Sequence, residues 1–259
     1  MKKLFSLCLI CLMALLFAGC EQNDPTFGNY KAKAFSVSSS KQVIFSPGNL
    51  QYHPAKNIWR FAENQTDYIG DANANISSTY NGWLDLFVWS TSTTDYDGSF
   101  VDWGTNKIGS DAPNTWRTLT YDEWKYLLNT RPNASSLKGV AQVNGVNGLI
   151  LLPDSWTCPS GITFKSGFHS RYDVQYYAAY QTFSADQWAA LEAAGAVFLP
   201  AAGYRYGSDV RVVQYSGFSW SATEYGSGTA NCLGFASGEA SMVNYDHNHG
   251  FSVRLVKDR

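Results

Sequence analysis

Charge is scarce in this chain. Only 15% of its 259 residues are Asp, Glu, Lys or Arg. No basic patch is visible, which argues against a nucleic-acid partner. Beyond residue 17, no segment holds the roughly 18 consecutive apolar residues that a membrane-spanning helix needs. Fixed-period repeats are missing, and so is a convincing linker after Tyr30, so one domain is the simplest organisation. Gly-x-Ser-x-Gly does not occur, which removes the strained elbow of a nucleophile triad. Cysteine is sparse: Cys8, Cys11, Cys20, Cys158 and Cys232.

What is present begins at the N-terminus. Lys2 and Lys3 precede an almost unbroken apolar run over residues 4–17. At roughly 1.5 Å per residue, a helix of that length falls short of a bilayer core of about 30 Å. A short apolar core behind two lysines is the pattern of a signal peptide, here residues 1–19. The run ends in Phe17, Ala18, Gly19 and Cys20, small residues before a cysteine as a lipoprotein signal peptidase requires, with Phe17 where such a box usually carries Leu. Cys20 is therefore expected to be the lipidated first residue of the mature chain, held by several acyl chains where one would be marginal. The alternative is an ordinary signal peptide with a chance cysteine. Residues 20–30, in which Glu21, Gln22, Asn23, Asp24 and Pro25 follow Cys20, read as a tether, and residues 31–259 as the folded domain.

Removing Lys2 and Lys3 leaves 17 basic residues against 21 acidic ones, a net charge of −4. Aromatics make up 15% of the chain, with nine Trp and sixteen Tyr. With plentiful Gly and Asn and few Lys-rich helical stretches, this is the profile of a loop-rich, β-leaning extracellular domain. Two cysteines in an exported chain suggest a disulfide between Cys158 and Cys232, worth roughly 2–4 kcal/mol across so long a loop. Two separate buried thiols are the alternative.

Residues 34–37 and 42–45 form an opening hairpin in this reading, and residues 51–52 and 59–61 a second. Periodicity is then lost over residues 62–114, although Tyr68, Tyr80, Trp83, Phe87, Trp89, Tyr96, Phe100 and Trp103 suggest that this stretch folds back on the core. Two helices are announced by capping boxes. Thr120 with Glu123 precedes Trp124, Leu127 and Leu128 at helical spacing, and Pro132 blocks extension. Ser184 with Gln187 precedes Trp188, Leu191 and Ala194, and Gly195 sits where a C-terminal cap belongs. Residues 148–153 and 196–200 are fully apolar runs that stop at prolines, as buried strands do. Strands are also expected at residues 218–223 and 230–235. The last, at 251–256, alternates apolar and polar residues and should bury one face.

Several of these segments form a recognisable set. An aromatic followed by Arg-Thr-Leu-Thr-x-x-Glu-Trp (residues 116–124) opens it. A Leu-Pro strand leading to Ala-Ala-Gly-Tyr-Arg (199–205), a Trp-Ser-x-Thr strand (220–223) and a terminal Gly-Phe-x-Val-Arg-Leu-Val (250–256) follow in order. The set resembles the C-type-lectin fold of formylglycine-generating enzymes, and the Bacteroidetes surface lipoproteins and retroelement-diversified variable proteins that share it. The resemblance implies an α+β, C-type-lectin-like domain: two helices packed on small antiparallel sheets, with long loop regions supplying a binding surface. The enzymes of that fold rely on a cysteine pair close together near the C-terminus, binding copper. Cys232 has no such neighbour, so that activity is not carried over, and no catalytic residue, metal or cofactor is assigned.

Other chemistry is thinly marked. Asp95, Asp97, Asp102 and Glu123 are carboxylates available for glycoside hydrolysis, but Glu123 is better read as a cap and Asp95 and Asp97 as turn formers. His247 and His249, with Asp246, could form a metal half-site, yet no second ligand pair accompanies them. Residues 244–249 carry no apolar period and offer Tyr, Asn, Asp and His, the composition of recognition loops. All four types share codons differing only in the first base, as adenine-directed diversification would produce. The expected ligand surface is therefore Tyr225, Tyr245, Asp246, His247, Asn248 and His249, with Arg205 and Tyr206 beside them. The expected role is a lipid-anchored binding or adhesion module at the outer membrane or cell surface, taking a glycan or protein ligand. An enzyme of the same fold and a structural envelope component are the alternatives.

Overall fold

The computed structural model describes residues 26–91, 93 and 96–259. The signal peptide, Cys20 and Asp95 lie outside these residues. Part of the expected tether lies within them, and it is not a tether. Thr26–Phe27 pairs antiparallel with Tyr30–Lys31. Tyr30 is 1% exposed in the main core, and Phe27 stacks on Tyr30 and packs against Trp116. Two aromatic rings flanking a Gly-Asn turn are enough to draw this segment onto the domain.

The fold is α+β, with small, mostly antiparallel sheets and short helices; Thr182–Phe183 pairs parallel with Lys138–Val143. Both expected N-terminal hairpins form, Phe35–Ser36 with Gln42–Phe45 and Leu50–His53 with Ile58–Phe61. The chain end, Val256–Asp258, pairs with Gln42–Phe45 and closes the first of these sheets. A four-stranded sheet runs in the order Val197–Pro200, Val146–Leu151, Lys138–Val143, Thr182–Phe183. Its first two strands are the apolar runs that stop at prolines, and both are buried throughout their apolar stretches.

Helix α1 (Tyr121–Lys125) starts in the expected capping box and continues as a wider turn over Tyr126–Thr130, ending before Pro132. Helix α2 (Gln175–Tyr180) was not announced by the sequence. It is short, its N-terminal residue Val174 offers no side-chain cap, and it buries Tyr177 alone. Helix α3 (Ala185–Ala193) begins in the Ser184–Gln187 box. It ends in a Schellman motif: Gly195 donates to Glu192, Ala196 donates to Leu191, and Gly195 takes φ +97, a conformation that glycine adopts without strain.

The described residues of 62–116 are held by isolated bridges and two single turns, Gly70–Ala74 and Trp103–Thr105. Phe87, Trp89 and Trp103 are buried, so the stretch does return to the core. A reciprocal pair fixes its first turn. Asn73 Nδ2 donates to Asp85 Oδ1 while Asn73 Oδ1 accepts from the Asp85 and Leu86 amides. Asp85 is fully buried, and desolvation outweighs these bonds and raises its pKa to about 6.

The closing segment differs from expectation. Residues 251–256 are all buried, Ser252 and Arg254 included, so both faces are covered rather than one. The segment threads between Phe87 on one side and Ser219 on the other. Its Phe251, Val253 and Leu255 join a second core with Trp89, Trp103, Trp116 and Trp220. The buried Arg254 guanidinium donates through its two terminal nitrogens, to Gln65 Oε1 at 2.5 Å and to the Phe198 carbonyl at 3.3 Å.

Cys158 and Cys232 are free thiols, which corrects the expected bridge. Cys232 lies mid-strand in the second core. Cys158 lies in a turn, donating its thiol to the Ile162 carbonyl near Trp156 and Phe164 of a third core. Burial pushes the Cys232 thiol well above its ordinary pKa, so it behaves as a small apolar group.

Candidate ligand site on the C-terminal sheet

Ser216–Gly226, Thr229–Ala236 and Glu239–Asp246 form an antiparallel meander with Glu239–Asp246 at its edge. Side chains alternate between the faces of such a sheet. One face carries Leu233, Phe235, Ala240 and Met242 into the main core beside α1. The other face has two halves. Trp220, Ala230 and Cys232 bury themselves against the closing segment. The remaining half, around Gly234, opens as a groove of about 220 Å³.

Register explains the groove. Gly234 lies between Phe218 and Ser241 across the three strands. A Cβ at Gly234 would come within 2.9 Å of the Val243 side chain, so glycine keeps the floor low. Phe218 and Tyr245 pack edge to face with centroids 5.4 Å apart on one side. Tyr172 and Tyr215 line the other, with Glu239 at the rim.

Tyr172 comes from a distant loop that is firmly attached. Ser237, fully buried, accepts from the Asp173 amide and donates to the Arg171 carbonyl, while the His169 amide donates to the Ser237 carbonyl. The Tyr172 ring lies directly on Gly238, where a Cβ would come within 2.7 Å of it. Partial desolvation and then the Glu239 carboxylate push the Tyr172 hydroxyl above its ordinary pKa.

The groove continues into an aromatic row. Tyr245 meets His249 at 5.2 Å, and His249 meets Tyr206 at 4.9 Å. Desolvation lowers the His249 pKa despite the Asp246 carbonyl, which favours the neutral ring. Asp246 and Asn248 are exposed at the turn beyond, where Asp246 Oδ1 accepts from the Asn248 amide at 2.8 Å. Tyr225 is 65% and Tyr206 53% exposed.

Two of the expected site residues point inward. Arg205 is 1% exposed, and its guanidinium donates to the carbonyls of Gly207 at 2.9 Å and Thr93 at 2.5 Å. It is a strut for the loop above it. His247 is 2% exposed, stacked on Trp89 and packed against Tyr96. It and His249 therefore occupy separate surroundings. Residues 244–246, expected as loop, end the Glu239–Asp246 strand, and the chain turns at His247 to pair His249–Gly250 with Tyr204–Tyr206. An edge strand half exposed on both faces shows no apolar period, which is why the sequence read as a loop.

Tyr172, Tyr215, Phe218, Glu239 and Ser241 carried no signal as a site. They come from separate segments, and each reads alone as an ordinary loop or strand residue. The candidate carboxylates have structural duties. Asp97 accepts from the Ser99 amide, Asp102 from the Gly104 and Thr118 amides. Glu123 completes the α1 capping box and pairs with Arg117 at 2.7 Å.

A family model for a domain of unknown function, DUF8237, matches residues 176–256. No curated protein and no solved structure matches the chain. The matched stretch runs from α2 through the meander into the closing segment. Of the residues that line the groove, Tyr172 alone precedes the match.

Proposed function

We propose that this chain is an exported lipoprotein, anchored through Cys20, whose folded part is a C-type-lectin-like binding or adhesion module for a glycan or protein ligand at the outer membrane or cell surface. The observation that carries the reading is the groove on the C-terminal meander. It is concave, lined by aromatic rings with a few polar groups, and supported by strands, as ligand sites are. Aromatic faces stack on apolar ligand surfaces, and the Ser216, Ser241 and Glu239 side chains supply hydrogen bonds at its floor and rim. The motif order over residues 116–256 and the α+β layout support the lectin-like assignment. The short apolar N-terminal run ending at Cys20 supports the anchor.

A glycan and protein array probed with the mature chain carrying Cys20→Ala tests the module. Saturable binding, weakened at least about tenfold by Tyr245→Ala with folding retained, is the expected result. Binding that survives both Tyr245→Ala and Phe218→Ala at full strength would place the site elsewhere. Palmitate labelling of the full chain should be lost in Cys20→Ala, and persistent labelling would remove the anchor.

A further inference from the structure

We propose that the groove selects a basic side chain, lysine or arginine, presented by an extended segment of a protein ligand. This rests on the reading of the groove as the ligand site, and adds its chemistry. Aromatic side chains form both walls, Tyr172 and Tyr215 opposite Phe218 and Tyr245, and Glu239 is the sole ionisable group of full charge among the lining residues. Lysine and arginine are absent from that lining. Arg171, the chain neighbour of Tyr172, reaches the Tyr176 hydroxyl at 3.3 Å. Among the described residues no cation forms an ion pair with Glu239, which has the Tyr172 hydroxyl beside it.

Aromatic faces attract cations through their quadrupoles, and a carboxylate at the rim fixes where the charge rests. A neutral ligand would use the rings but leave the carboxylate without a matching charge. The direction of approach follows from the sheet. Glu239–Asp246 is the edge strand, and Glu239, Ser241, Val243 and Tyr245 all face the groove. An extended segment paired along that edge would place alternate side chains over the same face. A lysine at one such position would project its ammonium between the rings toward Glu239.

The test is an amide-shift titration of the isotopically labelled mature chain, following Gly234, Ser241 and Val243. The probes are a capped valine–lysine–valine tripeptide, its norleucine isostere, glucosamine and N-acetylglucosamine. The lysine peptide should bind about tenfold more tightly than the norleucine peptide, and Glu239→Gln should erase that difference while leaving the norleucine response in place. Equal responses to the two peptides, or a preference that survives Glu239→Gln, would overturn the selection for charge. A response to glucosamine without one to the lysine peptide would overturn the protein ligand and leave the groove as a site for amino sugars. Array binding with no shift of the groove amides by any probe would overturn the groove itself.

Discussion

His247 stacks on Trp89 with ring centroids 4.6 Å apart and planes 16° from parallel. Tyr96 packs against the same ring at 4.1 Å and also meets Trp89 at 5.6 Å. A residue placed by sequence among ligand contacts is thus a packing element that fastens the Trp89 loop to the turn after Glu239–Asp246. His247→Ala should destabilise the fold by about 2–4 kcal/mol through the lost stack and the cavity it leaves. Tyr225→Ala should change stability by no more than about 0.5 kcal/mol, because its ring is exposed. Urea unfolding of the two variants checks the contrast, and equal midpoints would contradict the packing role.

Asp85 ties stability to pH. Its folded-state pKa is about 6 against an ordinary value of 3.8, so the folded state holds the proton more tightly than the unfolded chain. The contribution is fully present below about pH 4 and is lost as pH rises through about 6, up to about 3 kcal/mol in all. Melting temperature measured from pH 4 to 8 should therefore fall more steeply for the native chain than for Asp85→Asn. Parallel curves would show that Asp85 does not titrate in this range.

The two thiols should differ in reactivity. Cys158 is partly exposed and Cys232 fully buried. Native alkylation should modify Cys158 and spare Cys232 until the chain is unfolded. Unreduced peptide mapping should show no linkage between them. A linked pair would restore the disulfide and require a different path for residues 156–164.

Arg254 is the buried cation of the closing segment. Its bond to Gln65 extends to Glu192, whose carboxylate accepts from Gln65 Nε2 at 2.9 Å. Burial pulls the Arg254 pKa down to about 10, still far above neutrality. Arg254→Ala should destabilise by about 3–5 kcal/mol, since it leaves Gln65 and Glu192 without their buried partner. Chemical denaturation should show this loss; a change under about 1 kcal/mol would mean that water replaces the guanidinium.

The helix caps offer a milder check. Thr120→Ala and Ser184→Ala each remove a side-chain acceptor for a helix amide. Each should lower stability by about 1 kcal/mol, read as a shift of the unfolding midpoint with unchanged slope.

Local chemistry was legible in the sequence. The caps at Thr120 and Ser184, the glycine stop at Gly195, the apolar runs that stop at Pro153 and Pro200 and both opening hairpins depend on neighbours a few residues away, so a linear reading finds them. The return of Trp89 and Trp103 to the core was legible too, because large apolar rings demand burial wherever they occur. Tertiary structure alone decided which side of the chain faces water in segments without a clear period. Arg205, His247 and Arg254 turned inward because carbonyls or rings from residues more than a hundred positions away receive them. The groove arose because a glycine floor on one strand, aromatic walls from two others and a tyrosine from the 169–173 loop meet only after the meander has formed. Burial in such places is set by what packs across the sheet, and that partner leaves no mark on the local sequence.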